Sequence, residues 1–277
     1  MKNDREQVRE YYNRTAAEEW KRIDRRPEFL VTCRFLDRRI APGDRVLDIG
    51  GGPGRYAIHL AGRGCAVTLL DLAEENVRLA KENAEAAGVT IRAVSGDALE
   101  AGSALRKRGF LPGGGFDAVL LMGPLYHLLE EEEREAAVWE ALSLLKPGGL
   151  LCASFILTTA DLQFRMKDPD NGPILTEDPS ELDFRAALLR GESWSGDGFT
   201  RAHFSDVSAI EPFMARFPLD PEVIFGQEGI LGPREETILA QSAEEIEEWL
   251  RFSENLAVRR EYWGFAEHLM YIGRKRG

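Results

Sequence analysis

Three aspartates, each at the end of a short aliphatic run, carry the strongest chemical signal in this chain of 277 residues. Asp48 lies in Val46-Leu-Asp-Ile49, two residues ahead of the glycine turn Gly50-Gly-Gly-Pro-Gly54. A carboxylate there repels a pyrophosphate but attracts an ammonium or sulfonium group. Asp71 closes the next run, 21 residues after Gly50, where an acid can accept hydrogen bonds from both hydroxyls of a ribose. Asp97, in Ser95-Gly-Asp-Ala98 behind a third run, adds an acceptor suited to an exocyclic amine. The glycines allow backbone to approach a ligand closely, because they lack a Cβ. Alone they are ambiguous. Gly52-Pro-Gly-Arg-Tyr-Ala57 also satisfies the G-x-G-x-x-A pattern of nicotinamide dehydrogenases, so the acids, not the glycines, discriminate between ligands.

A second group of reactive types follows the fourth aliphatic run in Met122-Gly-Pro-Leu-Tyr-His127. A histidine side chain can titrate near neutral pH, so His127 is the expected base for removing a proton from an oxygen or nitrogen acceptor, with Tyr126 able to orient that acceptor. A histidine after a proline turn equally serves to cap a helix. His203 is a weaker second candidate. Cys33, Cys65 and Cys152 are odd in number and lack paired spacing, so neither a disulfide framework nor a zinc site is expected, and no other metal set is evident.

These groups need elements to hold them. From Pro42 onward, β-branched and aliphatic runs alternate with helical stretches, the pattern of βα units around a parallel sheet. Strands are expected at Val46–Ile49, Ala66–Leu70, Ile91–Val94, Phe116–Met122 and Leu150–Ile156. Helices are expected at Arg55–Gly62, Glu74–Ala87 and Glu131–Leu145, the last ended by a turn at Lys146-Pro-Gly-Gly149. In such open sheets ligands sit beyond the carboxyl ends of the strands, where all three acids and His127 fall. Between 157 and 203 the rhythm breaks. That segment, with Asp168-Pro-Asp-Asn-Gly-Pro173, a Gly191–Gly198 stretch and one short helix at Leu182–Leu189, reads as an inserted cap. Its aromatics Phe164, Phe184, Trp194 and Phe199, with Phe155 just before, suit either a small apolar pocket or the cap's own core. Afterwards come a helix at Ser205–Phe217, a strand at Glu222–Phe225, a helix opened by Ser242-Ala-Glu-Glu245 with capping-box spacing, and a last strand at His268–Ile272.

Composition narrows the partners. The net charge of -12 disfavours a protein that coats nucleic acid, although the first forty residues carry 11 basic against 8 acidic side chains. No apolar stretch approaches the roughly 20 residues of a bilayer span. The charged N-terminus and the three cysteines point to the cytoplasm.

Taken together, Val46-Leu-Asp-Ile-Gly-Gly-Gly-Pro-Gly54, Leu69-Leu-Asp-Leu72, Gly96-Asp-Ala98, Phe116-Asp-Ala-Val-Leu120 and Leu145-Lys-Pro-Gly-Gly149 resemble the class I, Rossmann-like methyltransferases that depend on S-adenosylmethionine (SAM). Tyr11-Tyr-Asn-Arg-Thr-Ala-Ala-Glu-Glu-Trp20 and Met122-Gly-Pro-Leu-Tyr-His127 are similar to a bacterial subgroup acting on small molecules. The resemblance implies a doubly wound α/β fold with a seven-stranded, mostly parallel sheet and a reversed last strand. It implies an N-terminal helical segment (1–40) closing over the site, a SAM-binding core (41–156), a substrate-side cap (157–203) and a C-terminal completion of the sheet (204–277). SAM is then surrounded by Tyr12, Asp48, Gly50, Gly51, Gly52, Gly54, Asp71, Leu72, Asp97, Ala98 and Met122, with Asp48 at the methionine part, Asp71 at ribose and Asp97 with Ala98 at adenine. His127 and Tyr126 face the acceptor. Gly123 stands where enzymes methylating nucleobase amines carry an acid or amide, so a small molecule accepting on O or N is the expected substrate. A SAM-binding protein without catalysis and a tRNA or protein methyltransferase are the alternatives; a homodimer is compatible with all of them.

Overall fold

The computed structural model describes residues 2–22, 26–167, 172 and 174–277. The aliphatic runs form β1 (Arg45–Ile49), β2 (Ala66–Asp71), β3 (Arg92–Ser95), β4 (Phe116–Leu121) and β5 (Leu145–Ile156). A separate hairpin of β6 (Trp194–Asp197) and β7 (Arg201–Phe204) precedes β8 (Leu219–Gly226) and β9 (His268–Lys275). Helices α1 (Lys2–Arg22) and α2 (Pro27–Asp37) lead into the sheet, and α3 (Arg55–Gly62), α4 (Glu74–Ala86), α5 (Ala101–Arg108) and α6 (Glu131–Leu144) connect its parallel strands. Then follow α7 (Ala160–Lys167), α8 (Pro179–Arg190), α9 (Val207–Met214), α10 (Glu235–Leu239) and α11 (Ala243–Ala257).

Seven strands pair in the order β3-β2-β1-β4-β5-β9-β8. The first five are mutually parallel, and β9 runs antiparallel to both β5 and β8, which is the reversed last strand expected from the sequence. From β1 the chain steps outward through β2 to β3 and then returns to β4 on the other side of β1. A crevice opens beyond the carboxyl ends of β1 and β4, where the connections diverge.

Residues of β1 are buried on both faces of the sheet, and their alternation sorts them into two cores. Val46 packs with Leu36, Leu60 and Leu69 beneath α2 and α3, whereas Leu47 and Ile49 join Leu105, Phe116 and Leu142 beneath α5 and α6. Each fully buried Leu or Ile contributes about 1.5–3 kcal/mol. This rigid double core fixes where Asp48 and Asp71 emerge.

Two local expectations change. Lys146-Pro-Gly-Gly149 is not a turn outside the sheet: Phe116 pairs with Leu145 and Ala118 with Leu150, so these four residues bulge between two pairing positions of one strand. Gly148 makes the bend at φ 72°. The cap is also more ordered than its composition suggests. Asp178 caps α8 by accepting from the N–H of Ser180 and Glu181, Pro179 occupies the first turn, and Gly191 closes the helix at φ 69°. The Gly191–Gly198 stretch contributes β6, which pairs with β7. Of the turn Asp168–Pro173, only Gly172 lies within the described residues.

Helix α1 packs across the crevice on polar contacts. Among its described residues only Val8 and Ala16 are buried apolar side chains. Asn13 bonds the start of α4 through the Glu75 N–H and the Glu74 carboxylate (3.0 and 3.2 Å). Arg55 of α3 donates to the Trp20 carbonyl (2.9 Å) and stacks 3.4 Å over its ring. Asp4 accepts from Arg201 of β7 (2.9 Å). Hydrogen bonds, one stacked cation and an ion pair, more than a shared apolar core, hold the helix in place.

Candidate functional site

The crevice holds a cavity of about 140 Å³ beneath α1. Of the residues expected around the cofactor, Tyr12, Asp48, Gly50, Gly51, Gly52, Asp71, Leu72, Asp97, Ala98 and Met122 all line it, and Tyr126 and His127 join them. Gly54 is the exception. It sits behind the loop at φ 93°, where a Cβ would lie 3.2 Å from that of Ala80, so its role is close packing of α3 against α4.

Asp48 is 1% exposed, and among the described residues neither carboxylate oxygen has a hydrogen-bond partner. Burial, with a smaller push from the nearby Asp71 charge, raises it to about 7. A Cβ on Gly51 would meet Asp48 Oδ2 at 2.7 Å, which explains why the loop above this acid must be glycine. An unpartnered carboxylate under an open glycine loop is a receptor for a cation.

Asp71 is braced instead of orphaned. Its Oδ2 accepts the Gly52 N–H (2.8 Å) and its Oδ1 accepts the Ala73 N–H (2.9 Å) and the Asn76 amide (3.1 Å). The carboxylate thereby fixes the glycine loop and keeps lone pairs for a ligand. Burial still raises it, against the pull of those three bonds. Asp97 accepts the Leu99 N–H (2.9 Å) and the guanidinium of Arg5 (2.8 Å), which also pairs with Glu133. Helix α1 is thus tied to the acid expected at adenine.

His127 lines the same cavity. Its Nδ1 is 3.1 Å from the Arg201 carbonyl, which can only accept, so the proton sits on Nδ1. Nε2 then accepts the Tyr12 hydroxyl at 2.8 Å. Burial lowers this histidine to about 4, so it is neutral at pH 7 with both nitrogens engaged. His203 is buried on β7 against Ser195 (2.8 Å), outside both cavities.

A second cavity of about 500 Å³ adjoins the first, sharing Tyr12, Glu19, Arg22 and Tyr126 with it. The cap aromatics Phe164, Phe184, Trp194 and Phe199 line it, whereas Phe155 lies in the core against Phe213. Phe184 also packs edge-on against Trp194 and Phe204, at 5.2 Å each, so the cap's own core and the cavity wall are one structure.

Sequence reasoning missed a charged cluster at the junction. His268 lines the second cavity and Glu28 the first, and their ligating atoms lie with those of Glu228 within 4.8 Å of one another. Glu228 Oε1 accepts His268 Nδ1–H (2.7 Å), while Oε2 accepts the backbone N–H of Glu267 and His268 (3.0 and 2.9 Å). Glu28 is paired with Arg22 (3.1 Å). These commitments make the group an ion-pair network. A topological signal was available: β9 is antiparallel, and Ile156 pairs with His268, so the amino end of β9 lies beside the carboxyl end of β5.

Residues 46–149 match the family model described as "Methyltransferase domain". The chain is 36% identical over 132 residues to a ubiquinone biosynthesis O-methyltransferase of Xanthomonas axonopodis pv. citri, covering 47% of this chain and 50% of that protein. It is 26% identical over 174 residues to the S-adenosyl-L-methionine-dependent Diels-Alderase iccD of Talaromyces variabilis, covering 61% and 54% respectively. The chain therefore spans about half the length of the curated relatives it matches. Among solved structures, the magnesium protoporphyrin IX methyltransferase of Synechocystis PCC 6803 aligns with a TM-score of 0.58 at 18% identity over 98% of this chain and 99% of that one, a likeness of fold. Residues 46–149 are thus similar to methyltransferase domains, and the chain as a whole shares the fold of the Synechocystis enzyme. No described helix is long and apolar enough to cross a membrane.

Proposed function

We propose that the protein transfers a methyl group from SAM to an oxygen or nitrogen of a small molecule held in the second cavity. The observation that carries this reading is the pair of adjoining cavities: one set with the three acids and the glycine loop, the other with cap aromatics, meeting at Tyr12 and Tyr126. The orphaned Asp48 would take the ammonium of SAM, the braced Asp71 the ribose hydroxyls, and Asp97 with Ala98 the adenine once Arg5 has moved aside. When bound, SAM supplies an electrophilic methyl group on a sulfonium.

The remaining work falls to alignment and exclusion of water. In this reading residues 1–40 close the site, with the Tyr12–His127 hydrogen bond as the clasp, and 41–156 form the SAM-binding core. Residues 157–203 form the substrate cap, and 204–277 complete the sheet. The three buried free cysteines support a reducing compartment such as the cytoplasm. A homodimer is compatible with this reading, and sedimentation would register it. Incubation with labelled SAM and fractionated metabolite pools tests the proposal. Label in a small compound is expected, whereas tight SAM binding with label in no compound would contradict it.

A second reading has one observation behind it: a relative is named a SAM-dependent Diels-Alderase. There the cofactor would stay intact while the aromatic cavity folds a substrate upon itself. Mass spectrometry separates the two, since methylation adds one methyl group and cyclisation leaves the mass unchanged.

A further inference from the structure

The most unusual polar group outside the cofactor cavity is His268. The ring is 8% exposed and lines the aromatic cavity, with Nδ1 held by Glu228. The side-chain hydrogen bond of this ring is made at Nδ1, which leaves Nε2, on the opposite edge, as the nitrogen that can meet a molecule in the cavity. Tyr126, which lines both cavities, lies 5.9 Å away between ring centroids. His268 thus stands where a molecule in the second cavity would meet the first, presenting its Nε2 edge.

The charges around it come from five elements. Glu228 follows β8, Glu28 lies on α2, Glu267 immediately precedes β9, Arg22 ends α1, and Lys167 of α7 pairs with Glu267. Burial opposes the imidazolium, but Glu228 and then its carboxylate neighbours outweigh that and raise His268 to about 9. The same contact lowers Glu228. His268 therefore favours the imidazolium, already paired with Glu228 through Nδ1, and its second N–H is left to donate to an acceptor in the cavity it lines.

Resting on the methyl-transfer reading above, we infer that the acceptor is an aromatic compound bearing an acidic oxygen, a phenol or a carboxylic acid, and that the N–H at Nε2 of His268 binds this oxygen as its anion. The oxygen's proton leaves to solvent on binding, because the imidazolium favours the anion. In the transfer the oxygen gains its bond to the methyl carbon as the sulfur–methyl bond breaks, and the electron pair of that bond stays on sulfur. One negative and one positive charge cancel to give a neutral ether or ester and a neutral thioether. An aromatic wall favours such charge neutralisation over the charged reactants. The neutral product loses its attraction to His268, which promotes release.

The test uses the full chain saturated with S-adenosylhomocysteine (SAH) and three probes of one shape: 2-naphthoate, 2-naphthol and 2-naphthylamine. Calorimetry is expected to show the two acidic-oxygen probes binding at least tenfold tighter than the amine at pH 7.5. His268→Gln should erase that preference while SAH affinity stays unchanged, and Glu228→Gln should weaken it at the same pH. If His268→Gln fails to fold, the pH profile of the unaltered protein decides. Naphthoate affinity should fall about tenfold per pH unit above 9, where the imidazolium loses its proton. Equal binding of the amine, a preference that survives His268→Gln, or a flat profile through pH 9 would overturn the inference. Labelled SAM then shows whether the hydroxyl or the carboxyl probe is methylated. Failure of SAH to bind would sink the methyl-transfer reading itself, whereas SAH binding with an amine preference would sink only the acidic-acceptor inference.

Discussion

Tyr12 and His127, 115 residues apart in sequence, share a hydrogen bond of 2.8 Å in which the tyrosine hydroxyl donates to the only bare nitrogen of a neutral imidazole. Arg201 fixes that tautomer from the cap side. One contact therefore links the N-terminal helix, the loop after β4 and the cap hairpin.

Tyr12→Phe removes the donor and leaves a buried acceptor unpaired, so stability should fall by about 1–3 kcal/mol. The larger effect is expected on SAH dissociation, which should quicken as the helix opens more readily. Stopped-flow displacement measures it; an unchanged dissociation rate would remove the clasp from the account.

Asp48 gives a pH prediction whose sign is fixed by its raised value of about 7. The unfolded chain ionises this carboxyl near 4, before the folded one does, so its burial costs stability progressively between about pH 4 and 7. Asp48→Asn should therefore stabilise the ligand-free protein at pH 8, by on the order of 1–3 kcal/mol, while weakening SAH binding more than tenfold. For the unaltered protein, SAH affinity should drop as pH falls below 7, because the cation-binding carboxylate becomes protonated. Thermal melts and calorimetry across pH 6–8 check both halves.

Gly51→Ala tests the loop by size alone. The added methyl would stand 2.7 Å from Asp48 Oδ2 and from a Leu69 methyl, so both buried side chains would have to shift. Loss of SAH binding with a stability cost of about 1–3 kcal/mol is expected. Gly52→Ala is the control, since a Cβ there meets nothing within 4 Å, although its φ of 53° adds backbone strain.

Phe184→Ala should separate the two cavities. It removes edge-on contacts to Trp194 and Phe204 and costs the cap about 3–5 kcal/mol. Acceptor KM should rise tenfold or more with SAH affinity unaltered, and limited proteolysis should cut within 157–203 first. A parallel loss of SAH affinity would show that the cap and the cofactor cavity are not separable.

The sheet and the cofactor-side residues were legible because continuous aliphatic runs and glycine chemistry are local properties. Asp48 and Asp71 lie at the ends of their strands and Asp97 just beyond its own, and each strand can be read within ten residues of sequence. His268 was not legible in the same way. Its importance comes from strand reversal, which brings the amino end of β9 to the edge formed by the carboxyl ends of the parallel strands. Glu228 and Glu28 reach it from distant segments. The engagement of His127 was hidden for a related reason, since its two partners, Tyr12 and Arg201, lie 115 and 74 residues away. The β6 strand escaped notice because Trp194-Ser-Gly-Asp197 has no apolar alternation and draws its order from β7.

The central claim is that one crevice aligns SAM with a neighbouring aromatic cavity, and a crystal structure of the protein with SAH tests it most directly. The account predicts the amino group of SAH against Asp48, its ribose on Asp71, Arg5 displaced from Asp97, and the sulfur facing the second cavity between Tyr12 and Tyr126. SAH bound elsewhere, or with its sulfur turned away from that cavity, would contradict it.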